Sequence, residues 1–187
     1  MLRAVNITKK FGENVVLSNF SHEFAEGKTT AVLGRSGCGK TTLLNILMGL
    51  LTSDGGEVFR EGRISAIFQE NRLCENLSAS ANIRLVTGKR LSEARIAEEL
   101  AAVGLQGCES KSVNEFSGGM KRRVAMLRAL LSEYDILFAD EPFKGLDMDT
   151  KHNVMRYFKE KTSGKTVVFV THDKSECDAL ADEVITL

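Results

Sequence analysis

Short apolar runs alternate with helical stretches along the chain. Three of these runs, 29–33, 134–139 and 166–170, are continuously hydrophobic, as expected for parallel strands that are buried on both faces. Helical patterns lie between them, over Thr41–Met48 and over Asp149–Lys161. This β-α-β rhythm predicts an α/β domain that is built on a parallel sheet.

A different pattern precedes the first buried run. Apolar and polar residues alternate around turn signals at Gly12 and Glu26-Gly27, which predicts a small antiparallel sheet. Beyond the first helix, Asp54-Gly55-Gly56 predict a break in regular structure, and 63–68 is predicted to be a further strand.

A helical segment is predicted between about residue 70 and residue 116. Ser92 suits a helix N-cap, Ile96 and Leu100 recur at helical spacing, and Gly104 suits the end of that helix. A new helix is predicted to open at Ser117-Gly118-Gly119. The simplest account is one domain over 1–187 with a helical insert at about 70–116.

The composition is that of an ordinary globular domain, with 43% hydrophobic and 27% charged residues in 187. Because 25 basic residues balance 25 acidic ones, a large electrostatic footprint for nucleic acid is not expected. No apolar stretch approaches the roughly 20 residues of a membrane span, and the first residues resemble a strand instead of a secretory signal. A cytoplasmic protein is therefore expected. Reduced thiols are expected as well, because the cysteines are scattered and form no metal-ligand pattern: Cys38, Cys74, Cys108 and Cys177.

A complete G-x-x-x-x-G-K-T phosphate-binding loop lies between the first buried strand and its helix. Its glycines let backbone N–H groups close around phosphates, Lys40 reaches the terminal phosphates, and the Thr41 hydroxyl can ligate Mg²⁺. The helix N-terminus attracts anions as well. The candidate nucleotide-binding residues of this loop are Gly34, Arg35, Ser36, Gly37, Cys38, Gly39, Lys40, Thr41 and Thr42.

Further candidates follow the predicted strands. Asp140, beside the phosphate loop, can hold the shell of a Mg²⁺ ion, and Glu141 can orient or deprotonate a water aimed at the γ-phosphate. His172 ends the neighbouring strand and is placed to contact the same phosphate. Gln69 follows the strand at 63–68; its amide suits either metal-bound water and phosphate or an ordinary polar loop position.

Ser117-Gly118-Gly119 form a second helix start with bare backbone amides and a hydroxyl. The chain thus has two helix N-termini that can bind phosphate, one after the phosphate-binding loop and one at Ser117. This favours an arrangement of two protomers with nucleotide between them.

Together these motifs resemble the ATP-binding cassette (ABC) family along nearly the whole chain, most specifically at Phe116–Met120. The resemblance implies a P-loop NTPase fold of the α/β class. Such a fold has a mainly parallel sheet, a small N-terminal antiparallel β subdomain and an inserted helical subdomain. The resemblance also implies ATP and Mg²⁺ as cofactors.

The resemblance further implies roles for single residues. Phe11, which the pattern alone would pack into the small sheet, would stack on adenine. Lys40 and the loop amides would hold the phosphates, and Thr41, Gln69 and Asp140 would serve Mg²⁺.

Other implied roles concern hydrolysis and the second protomer. Glu141 resembles the catalytic base and His172 the histidine that stabilises the reacting phosphate. Ser117, Gly118 and Gly119 would act on ATP held by the other protomer, and Asp147 would lie at the dimer seam. The residues expected to act in catalysis are therefore Lys40, Gln69, Glu141 and His172.

The chain departs from the family pattern at three positions. Phe116 and Met120 stand where the signature usually has Leu and Gln, and Lys144 stands where a small residue is more usual. The Ser-Gly-Gly core and Asp147 are retained, so nucleotide contact is still expected while affinity and communication across the dimer differ.

The stretches 68–73 and 141–143 resemble importer ATPases of the nitrate, sulfonate, taurine and thiamine-precursor type. This branch implies integral membrane permease subunits and an extracytoplasmic solute-binding protein as partners. It implies a homodimer or a paired cassette subunit as well, at the inner face of the cell membrane and without nucleic acid. Because the sequence is short, a C-terminal regulatory domain is not expected.

Three other functions fit the sequence less well. A soluble ABC ATPase acting on nucleic acid or ribosomes usually has paired cassettes, coiled coils or basic inserts, which are absent from the sequence. A P-loop kinase is disfavoured by the helix start at Ser117 and by Glu141. A nucleotide-binding regulator without hydrolysis is disfavoured by Glu141 and His172.

Overall fold

The computed structural model describes every residue from Met1 to Leu187. A short 3₁₀ helix, Val113–Glu115, precedes the fourth α-helix. In chain order the elements are β1 (Leu2–Phe11), β2 (Asn14–Phe24), β3 (Thr29–Leu33), α1 (Lys40–Met48), β4 (Gly55–Arg60), β5 (Ile64–Ile67), α2 (Ala79–Thr87), α3 (Glu93–Ala102), α4 (Gly118–Leu130), β6 (Ile136–Asp140), α5 (Met148–Lys161), β7 (Thr166–Thr171), α6 (Lys174–Leu180) and β8 (Glu183–Thr186).

The chain forms two compact units. The first comprises Met1–Ile64, Tyr134–Glu141 and Gly164–Leu187, and the second comprises Ser65–Glu133 and Pro142–Ser163. The helical segment expected at about 70–116 lies within the second unit, which also includes α4 and α5. A single functional domain over 1–187 stays a prediction.

The larger sheet has the strand order β5-β6-β7-β3-β8. Strand β3 pairs in parallel with both β7 and β8, and β6 pairs in parallel with β7. All residues of β6 and β7 are buried, which is the physical reason for their unbroken hydrophobicity. The parallel sheet predicted from these runs is confirmed.

The smaller sheet belongs to the first unit and has the order β2-β1-β4, with both pairings antiparallel. The antiparallel pair β1–β2 was predicted. Of the break expected at Asp54-Gly55-Gly56, Asp54 lies outside regular structure, but the prediction is wrong for the two glycines, because β4 begins at Gly55. Gly56 has φ +81°, and a Cβ atom there would lie 2.3 Å from the Val5 carbonyl oxygen. The glycine therefore admits the close approach of β1.

Helix α1 packs against β6 and β7, and its buried residues include Leu43, Leu44 and Leu47. At its C-terminal end the Gly49 N–H donates to the Asn45 and Ile46 carbonyls, as in other helices that end on a left-handed glycine.

The second unit is built around α4, which packs against α2, α3 and α5. Serine hydroxyls cap two of these helices as predicted: Ser92 accepts from the Arg95 N–H, and Ser117 accepts from the Met120 N–H. The buried side chains of this unit include Ile83, Ile96, Leu100, Val124, Leu127, Phe143, Val154 and Phe158.

A buried carboxylate links α3 to α5. Glu99, only 4% exposed, accepts from the Tyr157 hydroxyl, from Lys161 Nζ at 2.7 Å and from Arg95 Nη2 at 2.6 Å. Burial acts to raise the pKa of Glu99, but the hydrogen bonds from Lys161 and Tyr157 and the nearby positive charges outweigh it and hold the pKa below its usual range.

We expect this carboxylate to make stability fall in acid. Because its pKa is lower in the folded than in the unfolded protein, its contribution is complete above the unfolded value of about 4.3 and is lost as the pH falls through the folded pKa. The substitution Glu99→Gln should lower the free energy of unfolding at pH 7 by about 1–3 kcal/mol. It should also flatten the pH dependence below about pH 4.3, as measured by urea unfolding from neutral pH into acid.

The control is Glu98→Gln, which changes an exposed neighbour that is paired with Arg95. This control should change the free energy of unfolding and its pH dependence only slightly. If the free energy of unfolding of Glu99→Gln falls with pH below about 4.3 as steeply as that of the wild type, Glu99 is not the source of the acid sensitivity.

Candidate functional site

The phosphate-binding loop joins β3 to α1 in the first unit. The Gly34 N–H donates to the Thr171 carbonyl at 3.4 Å, which ties the start of the loop to the end of β7. The Lys40 ammonium donates to the Gly34 and Arg35 carbonyls at 2.8 and 2.9 Å, and the residue is 6% exposed. The loop therefore closes around a buried positive charge at the N-terminus of α1.

Gly39 is the point at which the loop meets β2. Its φ is +105°, and a Cβ atom there would lie 2.7 Å from Val16 Cγ1 and 3.2 Å from the Val16 carbonyl oxygen. Both the backbone angle and the space exclude a larger residue.

An oxygen pair lies at the same helix end. The Thr41 hydroxyl donates to Asp140 Oδ2 at 2.8 Å, and Asp140 is the last, buried residue of β6. No group of three or more His, Cys, Asp or Glu side chains is arranged to hold a metal ion. One carboxylate with one hydroxyl suits Mg²⁺, which keeps several waters and takes its remaining ligands from substrate phosphates.

Glu141 and His172 form a second pair at the ends of β6 and β7. Glu141 Oε1 lies 3.1 Å from His172 Nδ1; Glu141 is 7% exposed, whereas the His172 side chain is 55% exposed. Glu141 has φ +44°, in the left-handed region, and its N–H donates to the Val170 carbonyl at 3.0 Å. The adjacent carboxylates of Asp140 and Glu141 thus contact different partners, Thr41 and His172.

Phe11 ends β1 in the same unit. It is 52% exposed, so it is not a core residue of the small sheet, and Lys9 Nζ lies 5.5 Å from the centre of its ring. Asp54 fixes this lysine: Asp54 Oδ1 accepts from Lys9 Nζ at 2.8 Å, and its other oxygen accepts from the Lys10 N–H. An aromatic ring that is held from one side in this way still has half of its surface open to solvent.

The other predicted residues lie in the second unit. Gln69 and Ser117 are exposed, and Ser117 and Gly118 open α4. Asp147 is exposed and caps α5, and its Oδ1 accepts from the Thr150 N–H at 3.0 Å. That backbone hydrogen bond is the main cause that lowers the pKa of the Asp147 carboxyl.

Arg122 was not predicted from the sequence. It is a buried residue of α4 and donates to the carbonyls of Phe68, Gln69 and Pro142. The available signal was a basic residue that shares a helical face with the buried residues Met126 and Ala129.

None of the helices combines the length and the apolar character that a membrane span requires. Residues 17–144 of the chain match the family described as ABC transporter. The chain belongs to the ABC transporter family.

Relatives of this ABC transporter chain include two named import proteins. It is 34% identical to the Fe(3+) ions import ATP-binding protein FbpC of Escherichia coli (strain K12), over 97% of the chain and 58% of the relative. It is 38% identical to the sulfate/thiosulfate import ATP-binding protein CysA of Xanthomonas campestris pv. campestris, over 100% of the chain and 61% of the relative. The chain thus spans about three fifths of the length of these relatives.

Solved ABC cassettes share the fold. The dimeric structure of MJ0796, a bacterial ABC transporter cassette, has a TM-score of 0.88 and 30% identity, over 100% of this chain and 94% of that chain. A dimeric post-hydrolysis state of the same cassette bound to ADP and Pi gives a TM-score of 0.87 and 31% identity, with the same coverage. The predicted α/β P-loop NTPase fold is confirmed.

The loop geometry predicts that Gly39→Ala abolishes nucleotide binding. The added methyl group would have to displace Val16, and alanine disfavours the left-handed backbone by about 1–2 kcal/mol. Binding is measured with a fluorescent ATP analogue and folding by thermal unfolding.

Gly164→Ala is the matched control in the same unit, because Gly164 has φ +72° and nothing lies within 4 Å of its Cβ position. The control should share the strain but keep binding. Equal nucleotide affinity in both variants would show that steric overlap of a Cβ atom with Val16 is not what restricts position 39 to glycine.

Proposed function

We propose that the chain is the ATP-binding and ATP-hydrolysing subunit of an ABC importer. The observation that carries the proposal is the edge of the first unit's sheet. There the phosphate-binding loop, the Thr41–Asp140 pair and the Glu141–His172 pair follow three neighbouring parallel strands. Family membership and the names of the relatives support the same function.

The phosphates of ATP would lie against the loop and the N-terminus of α1. Lys40, which donates to loop carbonyls in the structure, would turn its donors to the terminal phosphates. Thr41 and Asp140 would hold Mg²⁺, which supplies positive charge against the phosphate oxygens when it is bound. Gln69 as a further Mg²⁺ ligand stays a prediction from the family resemblance. The exposed face of Phe11 would stack on the adenine ring, a contact of about 1–3 kcal/mol for a base on an aromatic side chain.

Hydrolysis needs a group that takes a proton from the attacking water. Glu141 is proposed as that base, since it is a buried carboxylate at the end of β6. With its proton on Nδ1, His172 donates to Glu141 Oε1 and holds the carboxylate in place, while its exposed ring reaches the reacting phosphate. The water adds to the γ-phosphorus atom as the bond to ADP breaks, and the proton passes to Glu141.

A second cassette is proposed to complete the site. Ser117 and Gly118 of the second unit are exposed in the protomer, and the α4 N-terminus that they open offers backbone N–H groups that can bind a phosphate. In a homodimer or with a paired subunit they would contact ATP held by the partner cassette, and Asp147 would lie at the seam. The dimeric state of the related cassette supports this arrangement.

Import is proposed from the names of the relatives, which are import ATP-binding proteins. The partners would be integral membrane permease subunits and an extracytoplasmic solute-binding protein, which would place the chain at the inner face of the membrane. FbpC is named for Fe(3+) ions and CysA for sulfate or thiosulfate. The nitrate and sulfonate type, suggested by the sequence, stays a prediction.

The substitution Glu141→Gln tests the ATPase. The amide keeps the size of the side chain but cannot accept the proton, so the variant should bind ATP, lose turnover and accumulate as an ATP-bound dimer. Phosphate release measures turnover, and light scattering with and without Mg-ATP measures the dimer.

Glu57→Gln, at an exposed position of β4, is the control and should behave as the wild type. Turnover that is retained in Glu141→Gln would sink the role proposed for this residue.

Partner capture separates an importer from a soluble ABC ATPase. We expect the affinity-tagged chain, expressed with the membrane protein genes of its source, to retain a multi-span protein in stoichiometric amount after detergent extraction. Untagged chain from the same membranes is the control. Co-purification of nucleic acid or ribosomes alone would overturn the transporter proposal.

A further inference from the structure

Helix α4 carries a buried guanidinium close to its start. Arg122 lies five positions after the Ser117 cap and is 4% exposed. A charged side chain at such a depth is rare unless its donors are satisfied. The role of Arg122 can therefore be inferred from the groups that accept its hydrogen bonds.

Arg122 donates to three backbone carbonyls, which belong to two segments that are remote in sequence. Nε donates to the Pro142 oxygen at 2.9 Å, and Nη1 donates to the Phe68 oxygen and, at 3.3 Å, to the Gln69 oxygen. All of these residues belong to the second unit. Because the guanidinium is planar and its donors are fixed in a fork, one side chain sets the spacing between the two segments.

Each segment adjoins a residue of the proposed site. The first contains Gln69 itself, and the second begins at Pro142, which is bonded directly to Glu141. Proline has no N–H group, so the chain after Glu141 cannot be held there by a backbone donor. The bond from Arg122 to the Pro142 oxygen is thus a direct restraint on the backbone that follows Glu141.

A second arginine of α4 restrains the first segment again. Arg128 Nη2 donates to the Arg72 oxygen at 2.8 Å and to the Asn71 oxygen at 3.4 Å. Arg122 and Arg128 together hold residues 68–72 to the side of α4 at two points. A displacement of this segment must therefore strain α4 or break these hydrogen bonds.

We propose that Arg122 is a positioning residue that couples the main chain at Gln69 to the main chain at Pro142, and through Pro142 sets the position of Glu141. Through this guanidinium, a displacement of the Gln69 segment also displaces Glu141, the residue proposed to deprotonate water. The inference rests on the proposed function in assigning that role to Glu141. The coupling between the two segments does not depend on it.

The test compares Arg122→Met, Arg122→Gln and Arg122→Lys with the wild type. The methionine removes every donor, the glutamine keeps one short amide, and the lysine keeps the charge without the fork. Arg90→Met is the control, because Arg90 belongs to the same unit but has other polar partners: Nη2 donates to the Leu131 carbonyl at 2.8 Å and Nε lies 3.5 Å from Glu133 Oε1.

Two measurements are made on each folded variant. Hydrogen exchange follows the backbone amides of residues 68–72 and 143–146, and steady-state kinetics with Mg-ATP gives kcat and KM. In Arg122→Met we expect faster exchange in both segments. We also expect a fall in kcat of about 10- to 100-fold, the cost of displacing a reacting group by about an ångström. KM should change little, because the variant keeps Lys40 and the loop amides that are proposed to bind the phosphates of ATP.

Arg122→Lys should recover part of kcat, and Arg90→Met should leave kcat and exchange in both segments as in the wild type. If Arg122 only stabilises the unit, Arg122→Met will lower the unfolding temperature while kcat per folded molecule stays the same, and the proposal falls. Exchange that rises in one segment alone overturns the coupling as well.

A wild-type chain that hydrolyses no ATP, alone or with its partners, would refute the proposed function and leave the exchange measurement to decide the coupling. If Arg122→Met does not fold, the glutamine and lysine variants decide by the same two criteria.

Discussion

The parallel pairing of β6, β7 and β3 is the constraint on which the first unit depends. These strands are buried, so their backbone N–H and C=O groups must be satisfied by one another and the register cannot slip without leaving some of them unpaired. In that register Asp140 is opposite Val170 and Leu33 is opposite Thr171. The three strands therefore end at one level. The phosphate-binding loop, Glu141 and His172 are the residues that come next, so the geometry of the site follows from the packing of the core.

The second unit is organised by α4 in a comparable way. Its first residues are exposed and offer backbone amides, its apolar face forms the core, and its arginines hold neighbouring segments through their carbonyls. Each unit thus fixes its own share of the candidate residues against its own core. The chain passes from the first unit to the second between Glu141 and Pro142, so the proposed base is the last residue of one core and is bonded to the first residue of a segment of the other.

Sequence reasoning succeeded where a local signal was strong. Continuous hydrophobicity predicted β3, β6 and β7, and the serines at 92 and 117 predicted two helix starts. Sequence reasoning failed where the role of a residue depends on a contact with a segment that is remote in sequence. The glycines that open β4 look like a break, because the sequence does not show that the Val5 backbone approaches Gly56. The hydrogen bond between Tyr157 and Glu99 joins residues that are 58 positions apart, and no periodic pattern in the sequence indicates it. Arg122 was overlooked because its partners are main-chain carbonyls, which every residue has and no pattern marks.

The left-handed backbone at Glu141 has a consequence for how this chain can change over generations. A residue with a side chain costs about 1–3 kcal/mol in such a conformation, whereas glycine adopts it freely. Replacement of this glutamate by glycine would relieve the strain and remove the carboxylate in a single step. Random drift in a lineage that no longer needed the carboxylate would therefore run towards glycine or asparagine here. A glutamate that acts as the proposed base would therefore be kept at this position at the expense of local stability.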